Sequence, residues 1–182
     1  MDFDKALRLL LDGFEGRHIR CAAIGGFALG LLGAPRATLD LDFLVHSADL
    51  GALHEFMLSI GYARRFSSEN VSQYSAGDRA LGCVDFLHAF RRVSLGMLDR
   101  AAERPVLGGT RRLRVLEAED VIGLKVQAMA NDSLRVNKET ADIEALADAC
   151  GGELDWTRLG EYYGLFGMEE RLKSLKSRFP GA

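Results

Sequence analysis

Ala23-Ile24-Gly25-Gly26-Phe27-Ala28-Leu29-Gly30-Leu31-Leu32-Gly33-Ala34-Pro35-Arg36-Ala37-Thr38-Leu39-Asp40-Leu41-Asp42-Phe43-Leu44-Val45 is the stretch that decides how the 182-residue chain is read. It has the order strand, glycine turn, short helix, loop, second strand. Side chains on a strand alternate faces, so Thr38, Asp40, Asp42 and Leu44 share one side while Leu39, Leu41, Phe43 and Val45 take the other. Two carboxylates this close on one face repel unless a cation lies between them, and the usual one is a divalent ion held by hard oxygen ligands. Gly25 and Gly26 close an apolar run, where glycine lets backbone amides and a helix N-terminus approach an anion, most often phosphate.

Outward from this stretch, Leu81 to Leu87 reads as another strand with Cys83, Asp85 and Leu87 on one face and Val84 and Phe86 on the other. Asp85 is a lone acid in an apolar run, and a buried carboxylate needs a cation, a donor or a raised pKa. On the N-terminal side, Phe3, Ala6, Leu7, Leu10, Leu11 and Phe14 recur at helical spacing, and His18 to Ile24 is strand-like. Ser47 to Ile60 reads as a helix with Ser47 at its N-cap, and Tyr62–Phe66 with Val71–Ala76 as an edge hairpin. A helix is expected over Val93 to Ala102. Two short strands follow around Gly108 and Gly109, the second carrying Arg111, Arg112 and Arg114, either as a charged solvated edge or as a nucleotide or acceptor contact.

Glu117 to Met129 is a strong helix with acids in its first turn. Lys125 lies on or beside its apolar stripe, where a lysine either snorkels to solvent or reaches an anion. After a break over Ala130 to Asn137, Lys138 to Ala149 forms a helix with Asp142 at the flank of its packing face. Trp156–Tyr163 and Gly167–Lys176 form a closing pair, and Gly181 and Ala182 a tail.

The glycine pair, short helix, Arg36-x-Thr38 and Asp40-x-Asp42 together resemble the signature of the polymerase-beta-like nucleotidyltransferases, closest to the AbiEii type of abortive-infection toxin. The resemblance implies that Asp40 and Asp42 bind magnesium and that Asp85, in the run Val84-Asp85-Phe86, completes the metal site. It implies that Gly25 and Gly26 hold the triphosphate with Arg36 and Thr38 beside it. Many members carry Ser where this chain has Gly26, so only backbone donors remain at that position; two glycines fit the AbiEii-like branch. The second half, with Lys125, Arg135, Lys138 and Asp142-Ile143, resembles the part of the family in which a helical lysine and an aspartate face the active site. Where the family has Lys-Asp ahead of the Asp-aliphatic pair, this chain has Lys138-Glu139, so Lys125 and Asp142 are candidates of second rank, and an ordinary first-turn acid is the other reading of Asp142.

At 182 residues with 48% hydrophobic content, the chain is long enough for one good core and a small helical appendage. With 23 basic and 26 acidic residues the formal charge is -3, which demands neither nucleic acid nor an anionic membrane as partner. The N-terminal segment lacks the apolar core of a signal peptide and no run approaches the about 20 residues that span a bilayer, so a cytoplasmic protein without a membrane partner is expected. Cys21, Cys83 and Cys150 lack the spacing of a zinc site or disulfide framework.

The expected fold class is α/β (α+β): a small mixed β-sheet flanked by helices over residues 1–116, followed by a helical part over residues 117–182 packed on it as a single compact unit. The resemblance implies a magnesium-dependent enzyme, with two ions and manganese as a substitute, that moves a nucleoside monophosphate from an NTP (ATP among them) to a hydroxyl on RNA, protein or a small molecule and releases pyrophosphate. The toxin of a toxin-antitoxin pair, with an antitoxin protein as partner, is one form. A noncatalytic nucleotide-binding module and a small-molecule (antibiotic) adenylyltransferase are the alternatives.

Overall fold

The computed structural model describes residues 1–179; Gly181 and Ala182, read as a tail, lie outside the described residues. Two compact units divide the chain: Met1–Ala28 with Arg36–Leu116, and Leu29–Pro35 with the helical residues from Glu117 onward.

The first unit carries a seven-stranded mixed sheet. Its strands are β1 (Cys21–Ile24), β2 (Leu41–His46), β3 (Tyr62–Ser67), β4 (Val71–Ala76), β5 (Cys83–Ala89), β6 (Ala102–Val106) and β7 (Arg111–Val115), in the spatial order β3-β4-β5-β2-β1-β7-β6. β2 runs parallel to β5 and antiparallel to β1. Helices α1 (Phe3–Gly16), α3 (Leu50–Ser59) and α4 (Arg92–Arg100) belong to this unit, and α2 (Gly25–Leu31) begins in it.

The core forms where the apolar face of α1 meets one face of the central strands. Phe14 on α1 makes edge contacts with Phe43, Phe56 and Phe86 at centroid separations of 5.3, 5.9 and 6.1 Å. Phe43 and Phe86 stack at 5.7 Å as direct register partners of β2 and β5. Aromatic edge and offset contacts of this kind add to the area they bury. Because Phe43 and Phe86 point toward α1, alternation turns their neighbours Asp42 and Asp85 to the opposite face. The core thus fixes the direction of the acids.

Several expectations shift by a few residues. The helix expected from Ser47 opens instead with a 3₁₀ turn, Ser47–Asp49, capped by His46, whose Nδ1 accepts from the Ala48 N–H at 3.1 Å. β7 is an interior strand, with the proline-bearing β6 at the sheet edge, so the three arginines do not form a solvated edge. Each has partners within the unit. Arg111 pairs with Asp12 and Glu15, Arg112 with Glu103 at 2.7 Å, and Arg114 donates to the carbonyls of Leu98 and Ala101.

In the second unit α5 (Ala118–Asn131), α6 (Val136–Ala149), α7 (Trp156–Gly164) and α8 (Glu169–Lys176) pack as helices. The break between α5 and α6 is shorter than the sequence suggests, a 3₁₀ turn at Ser133–Arg135 that Asp132 caps by accepting from the Leu134 N–H. Gly123 on α5 has a packing reason: a Cβ there would stand 2.6 Å from the Tyr162 ring of α7. No helix among the described residues is long and apolar enough to cross a membrane.

Candidate active site

The site begins with strand register. Asp42 on β2 lies directly opposite Asp85 on the parallel strand β5 and opposite Ile24 on β1. Paired residues of neighbouring strands project to the same side, so the two carboxylates share one face, and Asp40, two residues before Asp42, stands at the entry to the same strand. Gln73 on β4 is the partner of Asp85 and donates from Nε2 to its Oδ2 at 2.8 Å. Burial pushes the Asp85 carboxyl above its ordinary range; the Gln73 hydrogen bond opposes the rise and the negative charge of Asp40 adds to it.

The glycine turn is joined to the acids by the same register. Because Ile24 is the partner of Asp42, the chain leaves β1 beside that carboxylate, and it does so through Gly25 at φ 65°. A Cβ on Gly25 would lie 2.0 Å from Asp42 Oδ2 and 2.7 Å from its Cγ. Glycine is required twice over, by conformation and by space. Gly25→Ala is expected to cost about 1–2 kcal/mol for the left-handed backbone alone and to displace the Asp42 carboxylate, so that melting temperature and nucleotide affinity fall together; a wild-type affinity in this variant would contradict the arrangement.

Gly26 is cramped from the other side. A Cβ there would meet Thr38 Cβ and Oγ1 at 2.9 Å and Arg36 Nη2 at 3.1 Å. The space that a serine side chain would need is thus filled from the following loop, where Thr38 Oγ1 donates to the Asp40 carbonyl at 3.2 Å and Arg36 Nη1 to the Ala37 carbonyl at 3.0 Å. Gly26→Ser is therefore expected to destabilise the protein by about 1–3 kcal/mol through overpacking. Thr38→Gly in the same chain removes the obstructing Cβ and should return part of that loss in a thermal melt.

Among the described residues, no three His, Cys, Asp or Glu side chains converge on a point ready to hold a metal ion. Asp42 and Asp85 are register partners on one face, and Asp40 stands just before β2. Chemically the set fits a hard divalent ion: three carboxylates, with no thiolate or imidazole among them.

Lys125 and Asp142 meet each other in the second unit. Lys125 Nζ donates to Glu139 Oε2 at 2.8 Å and to Asp142 Oδ2 at 2.5 Å, and all three residues are buried. The lysine does not snorkel. Glu139 also receives Arg135 Nε and Nη2 at 3.0 and 2.5 Å. Burial raises the Glu139 carboxyl, but the bonds and charges of Lys125 and Arg135 outweigh it and hold the group below its ordinary range. A depressed carboxyl contributes stability that is present above its unfolded value and lost as the pH falls through the folded one. Glu139→Gln is expected to flatten that part of the acid-unfolding profile below about pH 5, followed by circular dichroism.

Glu139, which the sequence marks only as a departure from the family's Lys-Asp, shares Lys125 with Asp142. Gln73 is the residue at the acids that sequence reading passed over. It carried no signal, because only the register of β4 against β5 brings it to Asp85. The opposite face of the same sheet opens on a cavity of about 480 Å³ lined by Arg64, Ser72, Tyr74 and His88. Its buried polar groups satisfy one another: His88 bonds the Glu69 carbonyl at 2.9 Å and Ser72 Oγ at 3.0 Å.

The fold is that of nucleotidyltransferases of known structure. The antibiotic-resistance factor ANT(2'')-Ia matches in its solution structure with a TM-score of 0.68 and 17% identity over 98% of each chain. Its crystal structure in complex with adenylyl-2''-tobramycin matches with 0.68 and 15% over 98% of this chain and 99% of that one. The lincosamide antibiotic adenylyltransferase LnuA, lincomycin-bound, gives 0.55 and 15% over 78% of this chain and 94% of its own. An antigenic nucleotidyltransferase-like protein from Paracoccidioides brasiliensis gives 0.57 and 16% over 96% and 91%. At these identities the likeness is one of fold. No protein-family profile and no curated protein matches the sequence.

Proposed function

We propose that the chain is a metal-dependent nucleotidyltransferase that moves a nucleoside monophosphate from an NTP to a hydroxyl acceptor. The observation that carries this reading is the register that sets Asp42 against Asp85 on one side and against the Gly25 turn on the other. The glycine turn and the carboxylate pair are then neighbours, which supports phosphate binding beside the acids.

In this proposal Asp40, Asp42 and Asp85 would hold magnesium, two ions in all, or manganese in its place, which when bound would supply Lewis acidity at the reacting phosphate and the acceptor hydroxyl. The backbone amides of Gly25 and Gly26 cradle the outgoing phosphates, Arg36 matches their charge, and Thr38 keeps the loop bearing Asp40 in place through the Asp40 carbonyl. The acceptor oxygen forms a bond to the α-phosphorus, the bridging oxygen to the β-phosphorus takes the electron pair, and pyrophosphate leaves. The acceptor's proton passes to a carboxylate. Lys125 donates to both Asp142 and Glu139, so a direct part for Lys125 or Asp142 would require that buried cluster to open.

Within this activity, the glycine pair supports the AbiEii-type branch. Likeness to ANT(2'')-Ia over almost the whole chain supports a small-molecule acceptor of the kind an antibiotic presents. No feature of the described residues points to an antitoxin partner. The presence of all three acids argues against a noncatalytic module. The test is to incubate the protein with magnesium, each of the four NTPs labelled at the α-phosphate, and tobramycin, lincomycin or a short RNA. Label on one acceptor with an equal yield of pyrophosphate supports the proposal; no transfer and no pyrophosphate from folded protein counts against it.

A further inference from the structure

We infer that Gln73 is a positioning residue for the metal-binding acids, acting on Asp85 through a single hydrogen bond; the inference rests on the metal-site reading above. Gln73, Asp85 and Asp42 form one transverse row across β4, β5 and β2, each the register partner of the next. Within that row Gln73 Nε2 donates to Asp85 Oδ2 at 2.8 Å in a half-buried setting. An ionised carboxylate only accepts, so the amide must present its nitrogen end.

The consequence is directional. Asp85 shares its face with Asp42 and Asp40, and repulsion alone would turn its carboxylate away from both. The amide donor ties Oδ2 toward β4, which sets the plane of the group and leaves Oδ1 to a cation. Side chains that orient metal ligands in this way commonly govern metal affinity as strongly as the ligands' own surroundings do. Nothing else in the sequence marks Gln73, which sits between Ser72 and Tyr74 whose side chains take the other face.

Calorimetric titration of Mn²⁺ into the full chain, without nucleotide, separates positioning from a role in stability alone. The set is wild type, Gln73→Met, Asp85→Asn and the double variant. Methionine keeps the length and removes the donor; Gln73→Asn, too short to reach, serves as a second variant. The expected result is a loss of Mn²⁺ affinity of about 10- to 100-fold in Gln73→Met, the same direction in Gln73→Asn, and no further loss when Gln73→Met is added to Asp85→Asn. Unchanged Mn²⁺ affinity in both single Gln73 variants, or an equal loss in the Asp85→Asn background, overturns the inference while leaving the metal site standing. Wild-type Mn²⁺ affinity in Asp85→Asn, or no Mn²⁺ binding by wild type, overturns the metal reading and this inference with it.

Discussion

Asp42→Asn is expected to lower the proposed nucleotide transfer by about 1,000-fold or more while the protein stays folded. Asparagine has the shape of aspartate, so the packing against Gly25, whose absent Cβ would lie 2.0 Å from Asp42 Oδ2, survives the change. What is lost is the charge that, in the proposed site, would hold a cation, and Lewis-acid stabilisation of a reacting phosphate amounts to several kcal/mol. At 1.36 kcal/mol per tenfold, about 4 kcal/mol corresponds to that rate. The measurement is transfer under saturating magnesium, with a thermal melt of the same sample. Activity within tenfold of wild type would remove Asp42 from the metal site; a collapsed melt would make it a structural acid.

Lys125→Met has its large effect on stability. Lys125 is 6% exposed, and its two acceptors Glu139 and Asp142 are 1% and 7% exposed. Removing the ammonium takes the shared cation from two buried carboxylates, and breaking a buried pair from one side costs about 3–5 kcal/mol. In a protein of this size that lowers the melting temperature on the order of 10 °C. The triple change Lys125→Met, Glu139→Gln, Asp142→Asn should recover most of the loss, because the buried carboxylates lose their charge together with the ammonium, and Arg135, which remains, is half exposed to water. A melting temperature unchanged in Lys125→Met would show that the cluster contributes nothing.

The parts of the fold that depend on local chemistry were legible in the sequence. Alternation along residues 41–45 set Asp42 on the face opposite the core-facing Phe43, whereas Thr38 and Asp40 lie ahead of β2, outside the strand on which the sequence pattern had put them, and the apolar run around Asp85 gave β5. Register was not legible. That Asp42 faces Asp85 rather than Leu87, and that Gln73 joins the row, depends on pairing between strands far apart in sequence. Arg111, Arg112 and Arg114 were misplaced at an edge for the same reason, since the order of strands in a sheet is a property of the whole unit. Lys125 illustrates a third limit. Helical periodicity placed it on the apolar stripe, but whether it snorkels or pairs depends on what the next helix offers, and α6 offers Glu139 and Asp142.

The most direct test is calorimetric titration of each of the four NTPs into the protein, with magnesium and with a chelator, repeated on Asp40→Asn plus Asp42→Asn. One nucleotide should bind in the presence of magnesium, and binding should disappear both with chelator and in the double variant. Equal binding with and without metal, or binding that survives the loss of both acids, would contradict the proposed metal site.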